Sequence, residues 1–196
     1  LLVSGGWNPA VHLFSQARGK LRYDENLGAF VPGETLDGVS VAGSANGVFD
    51  LDGCLRDGQT AGQSIMRDLG FTVPERTIDP EPAPAIEQST PLVLWRVRDV
   101  AGEDTQFVDV QRDATVADLA RAVGAGMTSM EHIKRYTTIG TAHDQGKTSG
   151  VISSGITAEL LGRPIETLGT TTFRPPYTPV RVRRPSPAAA AAPSST

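Results

Sequence analysis

A single cysteine, Cys54, is the only thiol in the sequence. One thiol cannot close a disulfide within the chain, and it cannot by itself hold zinc or an iron–sulfur cluster. A disulfide scaffold is excluded, and a reducing, cytoplasmic setting is expected. Cys54 falls on an amphipathic helical pattern and reads as a buried structural thiol rather than a reactive one. Long apolar runs are also missing. None approaches the roughly 20 residues of a membrane-spanning helix. A secretory signal is not expected, because Leu1-Leu2-Val3 is too short for an apolar signal core and lacks a basic flank. The opening residues read as the middle of a strand, so the sequence is expected to be a piece of a longer polypeptide. Excess positive charge is lacking too. A net charge of -4 with 39% apolar residues argues against a general nucleic-acid binder and against a disordered chain. No internal repeat is visible, and 196 residues hold one ordinary domain or two small ones.

What is present divides into an α/β (α+β) arrangement of unequal parts. Residues 1–70 read as a strand-and-helix unit. Leu1-Leu2-Val3 is a strand end, and Pro9 opens a short helix reaching Arg18. Leu21-Arg22-Tyr23 and Ala29-Phe30-Val31 flank a glycine-containing loop, which predicts a hairpin. Val39 to Ala42 is a further strand. It runs through Gly43-Ser44-Ala45-Asn46-Gly47 into a helix from about Asp50 to Leu69. Leu51, Leu55, Ile65 and Leu69 mark the apolar face of that helix, and Gly58 and Gly62 suggest close approach of another backbone.

Residues 71–104 are a linker, rich in proline, that ends in a strand start at Pro91-Leu92-Val93-Leu94-Trp95. Residues 105–172 form a helical module. Gln106 to Val110 alternates as a short strand. Thr115-x-x-Asp118 reads as a capping box with Asp in place of Glu. The helix it opens has Val116, Leu119, Ala120 and Val123 on one face and stops at Gly124 or Gly126. Ser129 caps a second helix through about Arg135. A third covers 147–161 with Ile152, Ile156 and Leu160 aligned, and Pro164 starts one more turn. The tail, 173–196, contains Arg181, Arg183 and Arg184, no acidic residue, and five consecutive alanines. Disorder is expected after about Val180. This basic end is either a solvated terminus or a contact for acidic surfaces.

Two segments have the residues for binding chemistry. Val39 to Gly47 is a strand, glycine turn and helix start. Free N–H groups and a helix dipole there suit a phosphate or the polar edge of a flavin or nicotinamide. The alternative is a tight structural turn. The second segment is His132 to Thr148, which packs Lys134, Arg135 and Lys147 among Thr137, Thr138, Thr141 and Thr148. Arg135 offers a planar fork to phosphate oxygens, and Lys134 and Lys147 add charge. Thr137, Thr138 and Thr148 add hydroxyl donors; Gln145 and Gly146 offer an amide and an exposed backbone. A solvated loop between helices accounts for the same composition. His132 and His143 lack ligand partners at metal-binding spacing. No nucleophile–base arrangement or carboxylate pair stands out.

Longer motifs carry a resemblance. Ser4-Gly5-Gly6-Trp7-Asn8-Pro9, Val41-Ala42-Gly43-Ser44-Ala45-Asn46-Gly47, Arg135-Tyr136-Thr137-Thr138 with Gly146-Lys147-Thr148, and Gly169-Thr170-Thr171-Thr172-Phe173-Arg174-Pro175-Pro176-Tyr177-Thr178-Pro179 run collinearly. Together they resemble the alpha subunits of heterotetrameric sarcosine oxidases, over roughly residues 1–179. The resemblance implies that 1–70 is the closing part of a pyridine-nucleotide-disulfide-oxidoreductase-like dinucleotide-binding domain. Gly43, Ser44, Asn46, Gly47, Val48 and Asp50 would then meet the cofactor. Related flavoproteins carry an Asp at the position of Ser44, so NAD is implied here rather than FAD.

Residues 105–172 resemble a BFD-like helical module that holds a [2Fe–2S] cluster in opine-oxidase-type relatives. Those relatives have cysteines where this chain has Val108, Val110, Asp144 and Ser149, so a scaffold without its cluster is implied. The family further implies an FMN shared with a beta subunit, with Arg135, Thr137, Thr138, Gln145, Lys147 and Thr148 toward its phosphate. FAD and tetrahydrofolate would lie elsewhere in a complex with beta, gamma and delta subunits. The complete enzyme would oxidatively demethylate sarcosine to glycine, reduce O2 to H2O2, and pass the one-carbon unit to tetrahydrofolate. After Pro179 the sequence is read to leave the family pattern. The fragment alone is expected to be inactive. The alternatives are a subunit of a related opine or amino-acid dehydrogenase, and a non-catalytic interaction module.

Overall fold

The computed structural model describes residues 6–73, 90–98 and 102–174. The expected strand at Leu1-Leu2-Val3, most of the linker and the basic tail lie outside the described residues. The chain begins with a short helix, α1 (His12–Gln16), and an antiparallel hairpin of β1 (Leu21–Asp24) and β2 (Ala29–Pro32). The predicted hairpin forms, with Tyr23 paired to Phe30 and Arg22 to Val31. The Asp24 carboxylate accepts the Asn26 N–H at 3.1 Å and the Leu27 N–H at 3.3 Å. That local bond turns the chain back without a second strand's help.

Both faces of β2 are covered. Phe30 packs with Ala158 and Ile165 of the helical module, flanked by Leu21, Tyr23, Trp95 and Val151. On the other face, a side chain added at Gly47 would collide with Leu27 and press on Val31. The turn at Gly43–Asn46 is a short 3-10 helix, followed by the long α2 (Leu51–Asp68).

Three expectations for this unit need correction. The strand at 39–42 does not form. Only Val39 pairs, by an isolated bridge to Leu36, because Gly38, at φ +71°, folds it back on its own neighbour. Ala42 is extended, but no strand lies beside it among the described residues. On α2, no side chain is buried. Leu51 and Leu69 are 70% and 67% exposed, and open space surrounds Gly58 and Gly62. The amphipathic pattern made the helix, but no described backbone approaches those glycines. Cys54 is half-buried, and its Sγ donates to the Val48 carbonyl at 3.0 Å.

The second unit contains β3 (Phe107–Asp109), β4 (Ala114–Thr115), α3 (Val116–Gly124), α4 (Met130–Thr137) and α5 (Gly150–Leu161), closed by a 3-10 turn at Ile165–Leu168. Val108, Val116, Leu119, Ala122, Ile133 and Ile156 are the centre of its core. The capping box forms. The Asp118 carboxylate accepts the Thr115 N–H at 2.9 Å and its hydroxyl at 3.1 Å. Ala122 takes the buried place expected for Ala120. Ser129 stands at the N-cap of α4 without a side-chain cap bond. In α5 the expected single stripe is replaced by burial all round, since every residue from Ser153 to Ala158 is buried while Ile152 is 40% exposed.

Helices α1, α2, α3 and α5 end in the same way. A left-handed residue (Arg18, Gly70, Gly126 or Gly162) lets its own N–H and the next one reach back to the last helical carbonyls. This closure satisfies groups that would otherwise be orphaned, and glycine enters it at least cost.

Residues 90–98 do not make the expected strand. They cross between the two units as an extended tie. Trp95 packs against both cores and lies directly over Gly155, where a Cβ would overlap the indole. The Gln106 side chain grips Val97 at two points, accepting its N–H and donating to its carbonyl, both at 2.9 Å. Arg96 bridges Glu103 at 2.6 Å and Glu159 at 3.1 Å, and Arg98 joins Glu159 at 3.0 Å.

Candidate functional site

A cavity of about 230 Å³ opens where the two units meet. Its body is apolar, with Val11, Leu21, Phe30, Met130, Ile139 and Val151 in its wall. Three of its lining residues are ionisable, and all are basic: His12 of α1, Lys134 of α4 and Lys147 just before α5. No carboxylate lines it among the described residues. Gly150, the first residue of α5, also faces it, so the positive end of that helix dipole adds to the field.

The floor depends on a close crossing of loop backbone. Gly140 and Gly146, at φ +70° and +79°, approach so tightly that a Cβ on either would press on the other's Cα. Asp109 holds that crossing from beneath. It is 2% exposed, and its carboxylate accepts the Gly140 N–H at 2.7 Å, the Ser149 hydroxyl at 3.3 Å and the Gln111 N–H at 3.0 Å. Burial without these donors would be costly. Over the cavity, the Phe173 ring meets His12 edge-on, with centroids 4.4 Å apart. Burial, and then the nearby Lys147 charge, push the His12 pKa below its ordinary value.

The segment read as one anion loop is split by the fold. Lys134, Gly146 and Lys147 face the cavity. Arg135 points away and pairs with Glu131 at 3.1 Å. Thr137 donates to the Ile133 carbonyl at 2.7 Å, within its own helix. Thr138 and Gln145 supply left-handed turns, at φ 61° and 57°. Thr148 donates to Asp144 at 2.6 Å, and this bond helps hold the Asp144 pKa below the carboxylate range against the opposing effect of burial. The Thr137, Thr141 and Thr148 hydroxyls are therefore engaged in building the loop.

The turn at Gly43–Gly47 differs from its expected form. Asp57, one turn into α2, places its carboxylate 2.8 Å from the Gly43 N–H and 3.3 Å from the Asn46 amide. The Asp50 carboxylate takes the Gly53 N–H at 2.6 Å. The Gly47 and Val48 N–H groups bond to the Ser44 and Gly43 carbonyls. The Gly43, Gly47, Val48 and Gly53 donors, expected to be free for a phosphate, are satisfied within the protein. Ser44 and Asn46 remain exposed.

Sequence reasoning missed His12 and Asp109. His12 carried no motif. Asp109 stands between two valines of the expected short strand, a pattern that does not mark its carboxylate as buried. Of the four positions that the resemblance aligns with cluster cysteines, Val108 and Ser149 are buried, Asp144 is half-buried, and Val110 is 82% exposed.

Comparison with known proteins decides the family. The chain is 46% identical over 187 residues to the sarcosine oxidase subunit alpha of Corynebacterium sp. (strain U-96), which accounts for 92% of this chain. The chain belongs to the sarcosine oxidase alpha-subunit family. The corresponding subunit of Corynebacterium sp. (strain P-1) matches equally, and that of Rhizobium meliloti (strain 1021) is 38% identical over 181 residues. The chain spans 19% of the length of the corynebacterial relatives and 18% of the rhizobial one. The sarcosine oxidase A3 domain family matches residues 103–190. That match runs to residue 190, which corrects the expected departure from the family pattern after Pro179. Among solved structures, L-proline dehydrogenase from P. horikoshii shares the fold, with a TM-score of 0.62 at 21% identity over 90% of this chain and 37% of its own. No described helix is long and apolar enough to cross a membrane.

Proposed function

We propose that this chain is part of the alpha subunit of an oxidoreductase that demethylates sarcosine. The complete enzyme would yield glycine, reduce O2 to H2O2, and pass the one-carbon unit to tetrahydrofolate. It would work in the cytoplasm with beta, gamma and delta subunits. The observation that carries this reading is the 46% identity across 92% of the chain.

In this reading the basic cavity takes the phosphate of FMN shared with the beta subunit. The donor chemistry fits: two lysines, a histidine and a helix N-terminus face one apolar space without a carboxylate. Lys134 and Lys147 would hold the phosphate, while Thr137, Thr138, Gln145 and Thr148 keep the loop in shape. Arg135 is assigned no phosphate contact. Bound flavin supplies the redox chemistry. NAD fits less directly. The Asp57 carboxylate at Gly43 opposes a phosphate there, so Gly43, Gly47, Val48 and Asp50 shape the turn, and only Ser44 and Asn46 are proposed to touch an uncharged part of the dinucleotide. The donor set does not fit a [2Fe–2S] cluster, since Val108 and Val110 offer no lone pair to iron. FAD and tetrahydrofolate are assigned to parts of the enzyme beyond this chain.

Co-expression of the full-length alpha gene with its genomic neighbours tests this reading. A yellow complex that consumes oxygen on addition of sarcosine is expected. A colourless product without oxidase activity would sink it, and activity with proline alone would move the chain to a related dehydrogenase. Lys134→Ala and Lys147→Ala should each lower the FMN content of the purified complex, because each removes a charge-assisted bond worth about 1.5–3 kcal/mol.

A further inference from the structure

We propose that His12 is a third contact of the anion site and that it takes up a proton when an anion binds between it and Lys147. The inference rests on the reading of the basic cavity as an anion site, and it adds a proton coupling that the lysines alone would not give.

The geometry places His12 for this role. It lines the same cavity as Lys134 and Lys147, and the edge of Phe173 packs on its ring. Among the described residues, the charged groups that line the cavity with it are Lys147 from the loop before α5 and Lys134 from α4. α1 carries no other charge. The parts of α5, β1, β2 and Thr170–Phe173 that line the cavity carry none. With burial, two lysines and no carboxylate among the described lining residues, the cavity disfavours the imidazolium, as the lowered His12 pKa reflects. An anion reverses the sign of that local field and favours the protonated ring, which then donates from both nitrogens.

The linkage has a definite direction. Because the His12 pKa is lower in the free protein than in the complex, anion affinity is highest in acid. It falls as pH rises through the value in the complex, by up to about tenfold per pH unit for one proton.

The experiment titrates the full chain with naphthalene-2-sulfonate by calorimetry. This probe combines an apolar ring with a head whose charge does not change across the histidine range. Affinity should decline between about pH 5 and pH 8. Runs in two buffers of different ionisation enthalpy should show proton uptake on binding. His12→Gln, checked for folding by its thermal transition, should bind with no pH slope. Lys134→Ala and Lys147→Ala should bind about tenfold more weakly or worse. If the lysine variants weaken binding but the wild type takes up no proton, the His12 role is wrong and the anion site stands. A slope retained in His12→Gln also overturns that role. If the probe does not bind, or the lysine variants bind like wild type, the anion site itself fails.

Discussion

Asp109 joins two parts of the chain that are far apart in sequence. Its carboxylate caps the turn after β3 through Gln111 and Arg112 and fixes the loop before α5 through Gly140 and Ser149. A buried donor left without an acceptor costs about 1–3 kcal/mol. Asp109→Ala strands several donors together. It should lower unfolding stability by roughly 3 kcal/mol or more, measured by urea denaturation, and should open the Gly140–Gly146 crossing that floors the cavity. Asp109→Asn keeps one acceptor oxygen and should cost less. Equal stability of Ala and wild type would show that water replaces the carboxylate without loss.

At the scale of elements, α5 is shaped by what it lacks. Gly155 has no side chain, and the Trp95 indole occupies the space. Gly155→Ala improves helix propensity by about 1 kcal/mol but forces the indole away from both cores, and overpacking of this kind costs about 1–3 kcal/mol. The net expectation is a lower melting temperature and a change in Trp95 fluorescence; a raised melting temperature would show that the indole moves freely. This position was not legible in the sequence, because a glycine in an apolar helix reads the same whether an indole covers it or not. The helix stops were legible, since Gly70, Gly126 and Gly162 follow periodic segments and only one closure uses them well. So were the hairpin and the capping box, which depend on residues close in sequence. The anion loop was legible only in composition. Which cations turn inward depends on how α4 and α5 seat against α3, and which hydroxyls are already bonded depends on the loop's own turns.

For the molecule as a whole, charge binds the parts and sets the response to acid. Among the described residues, three carboxylates have lowered pKa values. The Thr115 N–H bond is the leading cause at Asp118. At Asp144 and Glu159 burial opposes the shift, and hydrogen bonds from Thr148 and from Arg98 and Arg96 prevail. A depressed carboxylate contributes stability that is complete above its unfolded value, near pH 4, and lost as pH falls through the folded value. His12, lowered instead, also favours unfolding as the solution turns acid. Stability measured by thermal unfolding should therefore be level near neutrality and fall in acid, with the carboxylate loss concentrated below about pH 4. Constant stability down to pH 3 would contradict the paired state of these acids. Those pairs include the Arg96–Glu159 and Arg98–Glu159 bridges that moor the tie at 90–98 to α5.

The grip of Gln106 on Val97 also gives the molecule a way to age. The amide must present one oxygen and one N–H in fixed positions, accepting from the Val97 N–H and donating to its carbonyl. Deamidation replaces the donor with a second carboxylate oxygen and turns it against that carbonyl. Half of the clasp becomes repulsive while the covalent chain stays intact. In protein stored until part of it has deamidated, the fraction carrying the mass change at residue 106 should lose amide-exchange protection at Val97 first. Unchanged protection there would mean that the ion pairs of Arg96 and Arg98 hold the tie unaided.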